Sequence, residues 1–190
     1  MKQYPVNLKI DYSEISNKPS AFIRLVLVIP IIIVVALISS YAEALSLAVA
    51  LMILFREKYP KWWFDWNVGI TKFIYRIAAY GLLMRDEYPS TDDDQAVKVD
   101  IPYPDVKKDL NRWMPLVKWI LAIPHIIVLI FIFIAVVFCT FFAWFAILLT
   151  GRYPKGIFDF VEGFLRWSLR VNAYVFLLTT DQYPPFRLRE

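Results

Sequence analysis

Two dense apolar blocks dominate the pattern of the chain. The first runs from Ala21 to Phe55, broken by Arg24 near its start and by Ser39, Ser40, Tyr41, Glu43 and Ser46 from the middle onward; the second runs from Trp113 to Leu149. As a single helix each would be about 50 Å long at 1.5 Å per residue, against a hydrocarbon core of about 30 Å. Halving a block gives legs of about 17 residues, near the lower limit for crossing a bilayer. This arithmetic predicts two tight helical hairpins, at 21–55 and 113–149, and so four membrane helices. Ser39 and Ser40 can cap backbone groups at the first tip, and Glu43 prefers headgroup depth. The second tip, Phe138, Cys139, Thr140 and Phe141, offers one hydroxyl, so its peptide groups need shielding by protein.

Outside the blocks the periodicity changes. Val6 to Asp11 and Val97 to Ile101 alternate with period two, which predicts strands of a small sheet, and the tail from Pro185 to Arg189 alternates as well and is expected to add to it. After each block, segments 61–84 and 156–178 combine a charged stripe with a broad aromatic face. Asp159, Glu162, Arg166 and Arg170 recur at steps of three and four, and Asp65, Gly69, Lys72 and Arg76 trace the same stripe earlier. Such helices suit a membrane interface, where Trp and Tyr favour headgroup depth and basic side chains snorkel towards water. Trp62, Trp63, Trp66, Arg76, Arg152, Trp167 and Arg170 are the expected lipid or interface contacts. A third span in each half is the alternative.

The two halves repeat. A shift of 94 lays Pro30 on Pro124, Tyr59-Pro60-Lys61 on Tyr153-Pro154-Lys155, Gly69 on Gly163, Arg76 on Arg170 and Ala79-Tyr80 on Ala173-Tyr174; with one more residue Tyr88-Pro89 falls on Tyr183-Pro184. The expected organisation is a first repeat at 1–89, a solvated linker at 90–95 and a second repeat at 96–190. The expected fold is an all-α membrane protein with a minor β element. Pro30, Pro124 and the turns Tyr59-Pro60 and Tyr153-Pro154 are read as structural, the first two as kinks that let short legs pack.

Composition agrees with a lipid setting. Of 190 residues, 59% are hydrophobic and 17% aromatic, with a mean hydropathy of +0.51, whereas a soluble domain has about 45–50% apolar residues. None of the 21 Lys and Arg residues lies between Arg24 and Arg56 or between Lys118 and Arg152. The positive-inside rule therefore predicts a multi-pass inner-membrane protein with both termini cytoplasmic. One cysteine and one histidine exclude a disulfide framework and a Cys/His zinc site.

Several motifs carry a family resemblance. Ile123-Pro124-His125, the run from Leu149 to Pro154, Arg166-Trp167 with Arg170-Val171-Asn172-Ala173-Tyr174, and the ending from Leu177 to Phe186 resemble the bacterial membrane family known as domain of unknown function four-three-eight-nine. The first half departs from the pattern, with Ile31 in place of the histidine and Arg56-Glu57-Lys58 before its Tyr-Pro. The resemblance implies a multi-span membrane protein without an established activity, so it carries over no catalytic residue.

His125 is the one candidate for chemistry, as a proton relay, a headgroup contact or a ligand to a bound pigment or haem. Against these stands a plain polar side chain bonded to a carbonyl that Pro124 leaves free. No nucleophile and base, and no glycine-rich phosphate loop, is visible among the five scattered glycines. The expected function is non-catalytic, a scaffold or accessory subunit with no cofactor. Its partners are membrane lipids and other integral membrane proteins or further copies, and not nucleic acid. A lipid-binding or membrane-shaping protein is the alternative, and a small transporter or channel at the repeat interface a third.

Overall fold

The computed structural model describes residues 4–189, apart from the side chains of Leu25 and of residues 39–43; the readings of Ser39, Ser40 and Glu43 as tip residues lie outside the described side chains. Strand β1 (Asn7–Ile10) pairs antiparallel with β2 (Val97–Asp100), with Leu8 opposite Val99 and Ile10 opposite Val97. These four side chains are buried, as the period-two pattern requires. Lys9 and Lys98 face each other on the outer side, and Asp11 offsets their repulsion at 4.0 and 3.6 Å. The tail does not join the sheet: residues 182–189 form no strand. The free edge of β1 is instead satisfied by side chains, since the Ile10 N–H donates to Glu162 at 2.9 Å and the Leu8 carbonyl accepts from Arg166 at 3.0 Å.

Each apolar block is one helix, not a hairpin. Helix α1 spans Lys18–Arg56 and α4 spans Met114–Thr150; between them lie α2 (Lys61–Gly81) and the single turn α3 (Val106–Asp109), and α5 (Lys155–Val175) follows. No turn forms at 138–141. The physical reason is local: this stretch contains neither Gly nor Pro, and an uninterrupted ladder satisfies every peptide group that a turn in an apolar setting would leave bare. Terminators occur only at the ends, where Glu57 (φ 49°) and Gly151 (φ 73°) adopt the left-handed conformation and donate back to Ile53 and Ile147. Helix α1 bends near its start, where Lys18–Arg24 and Val26–Ile38 meet at 47°, and Pro30 lies within the second of these segments.

The start of each long helix meets the end of the other. Lys18 Nζ donates to the Leu149 carbonyl at 3.0 Å, and Arg112, just before α4, donates to the Leu54 carbonyl at 3.0 Å. Both cations thus satisfy last-turn carbonyls that have no partner inside their own helix. A second layer covers one side of this pair. On α4 the buried positions Lys118, Ala122, His125, Val136, Ala143 and Ile147 fall on one narrow stripe. Helix α5 runs back along it, pairing Phe164 with Phe133, Trp167 with His125 and Tyr174 with Lys118. Helix α2 does the same on α1, through Phe73 and Ile77 with Ile31 and Tyr80 with Arg24. The main core lies between the layers, where Leu8, Val49, Val136, Ile147, Phe158 and Val161 are enclosed.

Candidate functional site

His125 sits in an aromatic box built by α4, α5 and the tail. It is fully buried. Phe186 stacks on the imidazole at 3.8 Å and 17°, Tyr183 lies 4.7 Å away, and Trp167 meets it edge-on. The Trp167 indole N–H donates to His125 Nδ1 at 3.2 Å. A nitrogen that accepts cannot carry the proton, so the imidazole is neutral with its hydrogen on Nε2. Nε2 is buried and has no hydrogen-bond partner among the described residues. In this arrangement it has no lone pair to offer a haem, pigment or metal. The bond goes to an indole, so the expected contact with a carbonyl freed by Pro124 is replaced by one across the helix interface.

Two buried cations stand at matching places, 94 positions apart. Arg24 and Lys118 have side chains 1% exposed. Arg24 binds Asp86, donates to the Arg85 carbonyl at 3.1 Å and lies 4.9 Å from the Tyr80 ring centre. Lys118 lies 2.7 Å from the Asp181 carboxylate, donates to the Thr180 carbonyl at 2.8 Å and lies 5.0 Å from the Tyr174 ring. A charge so enclosed requires a partner and full hydrogen bonding. Neither aspartate stands out by residue type alone. The signal was positional: the register that lays Tyr88-Pro89 on Tyr183-Pro184 also lays Asp86 on Asp181. Next to Asp86, burial pushes the Glu87 carboxyl up, but Arg85 and the Ala96 N–H outweigh it and hold the group below its usual range.

The predicted interface residues divide. Trp62 (68% exposed) and Trp66 (40%) face outward, Arg152 is exposed and pairs with Glu14 at 3.2 Å, Trp63 is half-buried, and Arg76 donates to the Ser90 carbonyl at 2.5 Å. Trp167 and Arg170 are corrected: both are buried, one against His125 and the other donating to the tail carbonyls of Arg187 and Arg189 at 3.1 and 3.3 Å. Of the charged stripe of α5, Asp159 stays exposed and pairs with Lys155 at 2.9 Å, while Glu162, Arg166 and Arg170 face β1 and the tail, whose backbone groups take the place of water. Tyr59 and Tyr153 are buried, and Pro60 and Pro154 begin α2 and α5. The Tyr153 hydroxyl donates to the Leu82 carbonyl at 3.3 Å, which ties the second half to the first. Pro30 and Pro124 sit inside α1 and α4. No group of three or more His, Cys, Asp or Glu among the described residues could hold a metal ion.

A family model described as Domain of unknown function (DUF4389) matches residues 18–91 and 112–187. No curated protein and no solved structure matches the chain.

Proposed function

The chain belongs to that family, and we propose that it is a non-catalytic membrane protein, a scaffold or accessory subunit that packs against lipids and other membrane proteins. The observation that carries this reading is the outer side of α1 and α4. Helix α4 is long and apolar enough to cross a membrane, and only 11% of its most apolar stretch is buried. A core helix of a soluble protein would be enclosed, and an apolar surface beyond a few hundred Å² marks contact with lipid or protein.

The two copies of the family match, and the like-placed contacts of Arg24 and Lys118, support a duplicated unit. The position of the sheet favours α1 and α4 lying in the plane of one leaflet. Phe133 is beside the midpoint of α4 and packs on Phe164 at 5.9 Å; two residues further along α5, Arg166 holds β1, whose Lys9 is exposed. If α4 crossed the bilayer, Lys9, Lys98 and Asp11 would be level with its centre, at about 3 kcal/mol per charge. Lying flat, a helix of about 55 Å fits without mismatch, and the exposed charges of the sheet, Lys9, Lys98 and Asp11, are left to water on the side of the sheet. Attraction to anionic lipid makes that side the cytoplasmic face of the inner membrane, with both termini there.

Cysteines introduced beside Lys18 and beside Arg56 test the placement. Labelling of both from the cytoplasmic side is the expected result, and labelling from opposite sides overturns it. Gentle extraction from native membranes followed by sizing tests the scaffold role, which a monodisperse monomer with no co-purifying protein would refute. The flat apolar pair also favours a second reading, a membrane-shaping protein, because a slab in one leaflet expands that leaflet alone. Purified protein that leaves liposomes unremodelled counts against it.

A further inference from the structure

The aromatic box has an open counterpart in the first half. Phe186 and Leu188 cover the second-half groove, Phe186 stacked on His125 with its outer side exposed and Leu188 so close to α5 that a Cβ on Gly163 would lie 2.9 Å from its own Cβ. Shifting back by 94 in the helices and 95 after them, His125, Val128, Trp167 and Tyr183 become Ile31, Val34, Phe73 and Tyr88, which line a groove of about 570 Å³. At the places of the two plugging side chains stand Thr91 and Asp93, which also line it. The first half lacks the benzyl and isobutyl groups; of the walls, Val34 and Tyr88 repeat Val128 and Tyr183, while Ile31 and Phe73 stand in for His125 and Trp167. A Cβ on Gly69, the counterpart of Gly163, would meet nothing within 4 Å.

We propose that this groove docks an extended segment of a partner protein in which an aromatic side chain is followed directly by a basic one. The walls offer a ring the apolar and aromatic surface of Ile31, Phe73 and Tyr88, where Phe186 has His125, Trp167 and Tyr183. Charge selects the rest of the ligand. Asp93 lines the groove and is exposed, with Asp92 and Asp94 exposed beside it in sequence; no Lys or Arg is among the lining residues, and the nearby Arg76 is engaged with the Ser90 carbonyl. The segment that fills the matching groove carries Arg187 and Arg189 beside Phe186. A phospholipid that inserted a chain here would bring its phosphate towards the Asp93 carboxylate. The proposal deepens the scaffold reading by naming what is held, but it is measured on the isolated chain, so either can fail without the other.

The probe is a fluorescent peptide with the sequence of residues 183–189, titrated against the full chain in detergent. Saturable one-to-one binding that weakens with salt is expected. The double substitution Thr91→Phe with Asp93→Leu, which restores the plug, should lower affinity at least about tenfold. The exposed single change Asp93→Lys should weaken binding without touching a buried side chain. A peptide with alanine for its phenylalanine should not bind. Absence of saturable binding overturns the proposal, and so does binding unchanged by the plugged and rim variants, which would mean exchange with the chain's own tail. A co-purifying phospholipid that is lost from the plugged variant, with no peptide binding, would assign the groove to an acyl chain and overturn it as well.

Discussion

The Trp167 indole N–H and His125 Nδ1, 3.2 Å apart, join α5 to α4 beneath the ring of Phe186. Trp167→Phe keeps most of the packing and removes the donor, at about 1 kcal/mol. His125→Ala also empties the slot under Phe186 and should cost about 2–4 kcal/mol. Denaturant unfolding in detergent measures both. Proteolysis at Arg187 should accelerate for His125→Ala well beyond its rate in Trp167→Phe, because only the former removes the surface on which the tail rests.

Lys118 and Asp181 form an enclosed pair. Asp181→Asn leaves the ammonium without its counter-charge and should destabilise by about 3–5 kcal/mol. Removing both charges, with Lys118→Met and Asp181→Asn together, should cost less than Asp181→Asn alone. The midpoints of chemical denaturation for the two variants give the comparison, and a double variant that loses as much as Asp181→Asn or more would show that the charges do not act as a pair.

Two glycines at matching places should respond with opposite signs. Gly163→Ala puts a Cβ 2.9 Å from Leu188 Cβ and 3.0 Å from its carbonyl oxygen, so the tail must shift, at about 1–3 kcal/mol. Gly69→Ala meets nothing within 4 Å and should stabilise α2 by about 0.5–1 kcal/mol through helix propensity. Thermal melts of the two variants decide the matter.

Burial pushes the Tyr59 phenol up from 10.0 to about 12, against a smaller opposing effect of the Asn67 amide. A phenol whose folded value lies above the unfolded one favours folding fully below the unfolded value. That share of stability should therefore be intact below pH 10 and drain away as pH rises towards about 12. Tyr59→Phe should flatten the alkaline limb of the stability profile over that interval, and phenolate absorbance should rise together with unfolding.

Local features were legible because local chemistry decides them. Period-two alternation placed Leu8, Ile10, Val97 and Val99 on the inner face of the sheet, and Tyr-Pro marked the starts of α2 and α5. The hairpins failed because the length of each apolar block was compared with bilayer thickness alone, while nothing at 138–141 can stop a helix. The stripe of Glu162, Arg166 and Arg170 was visible as a stripe, but periodicity is silent on what covers it. Here the cover is β1 and the tail, more than 150 residues away for Ile10 and close by for Arg187. His125 was visible as an oddity in an apolar run, and its indole donor was not, since nothing in the spacing from 125 to 167 encodes a contact.

The crossed capping of the long helices sets the order in which the chain can mature. Lys18 waits for a carbonyl 131 residues downstream, and Tyr4 bonds to the Gln182 carbonyl, 178 residues away. Both residues thus bond to groups made much later in the chain. A nascent chain halted after the linker exposes its greasy first helix with an uncapped end, so the first half gains its full set of partners only once the stretch up to residue 182 has been made.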